Sequence, residues 1–159
     1  HLRQQGISCV NYLDDFLIFG KTKEDCTQNV AYTLNVLTTL GFLINYDKSS
    51  LVPSQRQQFL GFIFNSSTMQ LELPYEKASH LKLLIDNRIK NSSCSIRALA
   101  TLIGSLVAVW PATKYGWLYT KLLAREQYLA LLASHENYNA LVTLTSTAFK
   151  DIRWWSQTV

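Results

Sequence analysis

Ile7-Ser8-Cys9-Val10-Asn11-Tyr12-Leu13-Asp14-Asp15-Phe16-Leu17-Ile18-Phe19-Gly20 decides how the chain is read. Two runs rich in β-branched and aromatic residues, Ile7–Tyr12 and Phe16–Phe19, flank Leu13-Asp14-Asp15 and end at Gly20, the pattern of a β-hairpin. Its apex is chemically unusual. Tight hairpin turns favour Asn-Gly or Asp-Gly, since glycine tolerates positive φ, and no glycine stands here. Adjacent carboxylates repel one another unless a cation intervenes. Mg²⁺ takes hard oxygen ligands of this kind, with substrate phosphates completing its shell. Asp is also a common turn residue that points to water; rigid apolar strands on both sides weigh towards the cation.

Beyond the hairpin, Thr22-Lys23-Glu24-Asp25 places a capping hydroxyl and acids ahead of Val30, Leu34, Leu37 and Leu40, whose spacing describes one helix face with Gly41 as its stop. Phe42–Asn45 reads as a strand, and Lys48-Ser49-Ser50 with Pro53 as a loop. Gln58–Asn65 reads as a further strand, turned by Ser66-Ser67-Thr68 into the alternating Met69–Leu73. From Pro74 the texture becomes helical. Leu81, Leu84, Ile85 and Ile89 repeat at helical spacing, and Ser95 can cap a helix carrying Ile96, Leu99, Leu102, Ile103 and Leu106. Tyr115–Ala133 and Leu141–Trp155 complete the predicted helices.

The 159 residues suffice for one domain or two small lobes. Charge is uneven: residues 1–72 hold five Lys/Arg against six Asp/Glu, whereas residues 73–159 hold ten against five. The second half is therefore the candidate polyanion binder. Cys9, Cys26 and Cys94 form no CxxC pair and leave one unpaired in any disulfide scheme, which suits a reducing compartment. The uncharged stretch 98–113 is interrupted by Gly104 and Pro111 and falls short of the roughly 18 apolar residues of a membrane span. The chain opens at His1 with no signal-peptide pattern, as an internal cut would leave it. His80 and His135 lack metal-ligand partners at useful spacing, and the four tryptophans read as packing residues in place of base-stacking platforms.

Tyr12-Leu13-Asp14-Asp15 in these surroundings resembles the Tyr-x-Asp-Asp hairpin of reverse transcriptases. The resemblance continues in order through Gly41-Phe42, Asn45-Tyr46-Asp47-Lys48-Ser49, Phe59-Leu60-Gly61-Phe62 and Leu73-Pro74-Tyr75-Glu76-Lys77. With Ser95-Ile96-Arg97-Ala98-Leu99 and Trp154-Trp155, it is most similar to the tyrosine-recombinase (DIRS-type) retrotransposon enzymes. It implies an α+β fold: the C-terminal half of a polymerase palm over 1–73 (β-hairpin, helix, strand, primer-grip hairpin), then an all-helical thumb or connection region over 74–159.

The activity so implied is that of an RNA-directed DNA polymerase, a nucleotidyltransferase adding dNTPs to a primer 3′ end on an RNA or DNA template with Mg²⁺ or Mn²⁺. Asp14 would be the main metal ligand of the hairpin and Asp15 its weaker neighbour. Lys48 would act as general acid or electrostatic clamp on the leaving pyrophosphate. Tyr12 and Leu13 would lie near the primer end, and Phe59, Leu60 and Gly61 would form the primer grip. Lys77, Lys82 and Arg88, with Lys90 and Arg97, would track template-primer phosphates. A two-metal reaction needs a further carboxylate, which the family carries ahead of this hairpin. An upstream fingers and palm segment of the parent chain is thus an implied partner, and the 159 residues alone are expected to polymerise nothing. The alternative is a domesticated, non-catalytic remnant that binds nucleic acid or protein. Either would be intracellular, in cytoplasm or nucleus, neither secreted nor membrane-bound.

Overall fold

The hairpin forms, and with it an α+β architecture of five α-helices and seven short strands; the computed structural model describes all residues from His1 to Val159. The chain divides into two compact units, His1–Leu60 with Phe64–Met69, and Gly61–Ile63 with Gln70–Val159. No helix is long and apolar enough to cross a membrane.

In the first unit, β1 (Cys9–Tyr12) pairs antiparallel with β2 (Asp15–Ile18), from Cys9 opposite Ile18 to Tyr12 opposite Asp15. The loop is therefore only Leu13-Asp14, one residue shorter than the sequence pattern suggests. Helix α1 (Lys23–Thr39) starts where expected: the Thr22 hydroxyl accepts the Asp25 N–H at 3.1 Å, and the Asp25 carboxylate accepts the Lys21 N–H at 2.7 Å. It ends in a Schellman motif, with Gly41 at φ 87° and the amides of Gly41 and Phe42 donating to the carbonyls of Thr38 and Leu37. That bond corrects the expected strand at Phe42–Asn45. The Phe42 amide closes the helix, no partner strand pairs with the segment, and Phe42 and Leu43 are exposed.

Strands β3 (Arg56–Phe59), β4 (Phe62–Asn65) and β5 (Gln70–Glu72) form a three-stranded sheet in that order. The single strand expected over Gln58–Asn65 is broken because Leu60 (φ 49°) and Gly61 (φ 76°) make a two-residue turn with both residues at positive φ, the geometry that reverses a twisted hairpin. The turn after β4 is held by the buried Asn65, whose Oδ1 accepts from the Ser67 and Thr68 amides and the Ser67 hydroxyl.

The second unit contains α2 (Tyr75–Lys90), β6 (Ser93–Ser95), α3 (Ile96–Val107), α4 (Lys121–Ala133), β7 (Leu141–Thr143) and α5 (Ser146–Thr158). Helix α2 packs on α5 and α3, α3 on α4, and α4 on α5. Between them lie Leu81 and Ile85, Leu99, Leu102 and Leu106, Leu123, Ile152 and Trp155, all at helical spacing and all buried. Each fully buried Leu, Ile or comparable side chain contributes about 1.5–3 kcal/mol. Ser95 caps α3 through the Ala98 amide as read from the sequence.

Two helix starts depart from expectation. Helix α5 begins at Ser146, because Leu141–Thr143 pairs antiparallel with Ser93–Ser95 and Thr145 then supplies the cap. Helix α4 begins at Lys121, since the backbone breaks at Tyr119 (φ −79°, ψ 19°), whose carbonyl accepts the Trp155 indole N–H at 3.1 Å. Gly116 lies where a Cβ would stand 2.7 Å from the Trp155 ring, so only glycine fits.

Candidate functional site

Leu13 occupies the first loop position of the β1–β2 hairpin at φ 54°, where a leucine is strained and glycine would be at ease; its side chain is 80 % exposed. Asp14 and Asp15 are both exposed, Asp14 in the loop and Asp15 at the first ladder position, paired with Tyr12. Tyr12 and Asp15 thus share a face with Val10 and Leu17. The base of the hairpin is braced. The Phe19 amide extends the ladder to the Ser8 carbonyl, Asn29 on α1 donates to the Phe19 carbonyl at 2.9 Å, and a Cβ on Gly20 would stand 2.3 Å from the Cys26 amide nitrogen. Helix α1 therefore approaches β2 as closely as it does because residue 20 is glycine.

Two adjacent, solvent-facing carboxylates on a braced turn suit a hard cation that keeps several waters and shares its shell with phosphates, as Mg²⁺ does. No group of three or more His, Cys, Asp or Glu side chains that could hold a metal ion gathers in the chain. The three cysteines are free.

Lys48 closes a short 3-10 turn, Tyr46–Lys48, in the same unit. Asn45 Oδ1 accepts the Lys48 amide at 3.2 Å, Ser49 Oγ donates to the Asn45 carbonyl at 2.7 Å, and the lysine side chain is exposed. Phe59 is buried and meets Phe64 edge-on at 6.1 Å, while Leu60 at the β3–β4 turn is exposed. Lys77, in the first turns of α2, lies 4.4 Å over the Phe62 ring and its Nζ donates to the Gly61 carbonyl at 3.4 Å. The cation is therefore anchored to the turn that the sequence singled out.

Of the other basic candidates, Lys82, Lys90 and Arg97 are exposed, and the Arg97 guanidinium lies 5.6 Å from the Tyr138 ring centre. Arg88 is different. It is only 8 % exposed, and its Nη1 donates to the Asn91 and Ser93 carbonyls at 3.1 Å each, joining the end of α2 to β6. A phosphate contact would have to compete with both carbonyls.

Three tryptophans pack as expected: Trp155 is fully buried, Trp154 stacks on Tyr119 at 4.1 Å, and Trp110 donates to Thr120 Oγ1 at 2.9 Å. Trp117 does not, being 53 % exposed just ahead of α4. A visible signal for it was the lack of any acid between Thr113 and Arg125, beside Lys114, Lys121 and Arg125.

Comparison with known proteins bears on the first unit. No curated protein and no solved structure matches the chain. Residues 1–64 match the sequence model of the family described as reverse transcriptase (RNA-dependent DNA polymerase). The matched stretch takes in the Asp14-Asp15 hairpin, α1, the Asn45-capped turn and the β3–β4 turn, so the part of the molecule that carries these features is similar to reverse transcriptases.

Proposed function

We propose that the chain is the palm-end and thumb portion of a retrotransposon reverse transcriptase, of the DIRS-type subfamily, which adds dNTPs to a primer 3′ end on an RNA or DNA template. The observation that carries this is a braced two-strand hairpin with Asp14 and Asp15 at consecutive exposed positions, within a stretch similar to the family. Asp14 and Asp15 would hold Mg²⁺ or Mn²⁺, whose charge when bound stabilises the oxygens of an in-line nucleotidyl transfer. A further carboxylate comes from a preceding palm segment of the parent protein.

For that reaction the chain's own residues would supply charge and backbone. Lys48, at the end of an Asn-capped turn, offers a proton or a positive charge to departing phosphates. Tyr12, on the face of Asp15, and exposed Leu13 flank the primer terminus. Leu60 and Gly61 let backbone approach a sugar-phosphate chain, with Phe59 anchoring the strand behind them and Lys77 bracing the turn. Lys82 and its exposed basic neighbours supply sequence-independent phosphate attraction.

The test is Asp14→Asn in the complete parent protein. Primer extension should be abolished with the unfolding midpoint unchanged, since an exposed carboxylate adds little packing. Extension at the parental rate would remove Asp14 from the mechanism. A parent protein that extends no primer with either Mg²⁺ or Mn²⁺ would instead assign the chain to non-catalytic nucleic-acid binding.

A further inference from the structure

A second surface, in the helical unit, gathers exposed aromatic and basic residues that the hairpin chemistry does not use. The segment Lys114-Tyr115-Gly116-Trp117 forms a turn ahead of α4, with Trp117 53 % exposed, Tyr115 also exposed, and Lys114 Nζ 5.4 Å from the Tyr115 ring centre. Lys121, Arg125 and Tyr128 follow at i, i+4 and i+7, which places them on one face of α4, and all three are exposed, Tyr128 by 61 %.

The turn beneath these aromatics is rigid. The Thr120 hydroxyl donates to the Gly116 carbonyl at 2.6 Å and accepts the Trp110 indole N–H, while Thr113 and Trp155 leave no room for a side chain at residue 116. Trp117 is thus held outwards by a buried hydrogen-bonded network.

Along this segment basic residues prevail. Between Thr113 and Ala133 the only acid is Glu126, whose carboxylate accepts the Thr145 hydroxyl at the start of α5. Exposed aromatic rings interleaved with lysine and arginine fit a polyanion whose bases present free π-faces. Paired bases in a duplex bury those faces, so single strands are favoured.

We infer that the turn carrying Tyr115 and Trp117, together with Lys121, Arg125 and Tyr128 on α4, binds single-stranded nucleic acid by base stacking and phosphate attraction. The inference rests on the proposed function only in taking the chain to handle nucleic acid; it needs neither the metal nor the hairpin.

The experiment measures fluorescence anisotropy of a labelled oligothymidylate and of a labelled duplex against the 159-residue chain over a range of salt. The chain should bind the single strand more tightly. Trp117→Ala should weaken single-strand binding about five- to hundredfold, and Lys121→Gln should reduce the salt slope by about 0.7. Asp14→Asn should leave this binding unchanged, which separates it from the polymerase centre. Circular dichroism and the unfolding midpoint check that each variant is folded.

Failure of the parent chain to bind, equal affinity for the duplex, or parental affinity in folded Trp117→Ala would overturn the assignment. So would self-association of the parent, seen by sedimentation and lost in Trp117→Ala, without oligonucleotide binding; that result would give the face to protein.

Discussion

Asp151 shows how a single side chain serves two helices at once. It sits on α5, and its carboxylate is acted on by the Leu122 amide at the start of α4, where Thr120 gives no side-chain cap because its hydroxyl is engaged with Gly116 and Trp110. An acidic group there complements the helix N-terminus. Burial nevertheless raises its pKa above the ordinary 3.8, against the opposing pull of the Leu122 amide, and Oδ2 has no partner.

A carboxyl whose folded pKa is raised stabilises the fold fully below its unfolded pKa and loses that contribution as pH climbs through the raised value. Asp151→Asn removes the titration. In urea unfolding at stepped pH, the stability of the parent relative to the variant should therefore be greatest in acid and decline towards neutral pH. A constant difference would show that burial leaves this carboxyl unperturbed.

Among the elements, the two hairpins break the same local rule. Both β1–β2 and β3–β4 turn through a leucine at positive φ, Leu13 and Leu60, each costing roughly 1–2 kcal/mol relative to a relaxed backbone. Only the second has the following glycine that suits a primed turn. Leu60→Asn creates Asn-Gly and should stabilise the chain by about 1 kcal/mol in urea unfolding, whereas Gly61→Ala should destabilise it by about the same amount. The Lys77 ammonium, 3.4 Å from the position of such a Cβ, is a flexible end and can give way. If Leu60→Asn lowers stability, packing of the leucine outweighs its backbone strain.

Across the whole molecule, burial is unequal. The second unit holds the cluster running from Leu81 to Trp155, whereas α1 in the first unit fully buries only Thr33 and leaves Leu40 exposed. Resistance to local opening follows buried apolar contact. Hydrogen exchange should therefore protect the amides of α3 and α5 longest and release those of α1 and the β1–β2 hairpin earliest. Equal protection in the two units would mean that α1 is held by contacts stronger than its burial implies.

What was legible in the sequence was what neighbouring residues decide: the hairpin within Ile7–Gly20, the Thr22 and Ser95 caps, the Gly41 stop, the helical stripe of α2, and the likeness of the Tyr12–Asp15 stretch to reverse transcriptases, since each depends on groups a few positions apart. Other features needed partners distant in sequence. Leu141–Thr143 is a strand because Ser93–Ser95 lies beside it, α4 starts late because Trp155 and Thr120 engage the preceding turn, and Arg88 is turned to the Asn91 and Ser93 carbonyls. The acid-free, basic run around Trp117 was visible in the sequence, but its exposure was decided only once the fold had packed the other three tryptophans and left it outside. Periodicity records which residues are apolar, but burial and hydrogen-bond partnership are properties of two segments together, and only the tertiary structure brings the second segment into place.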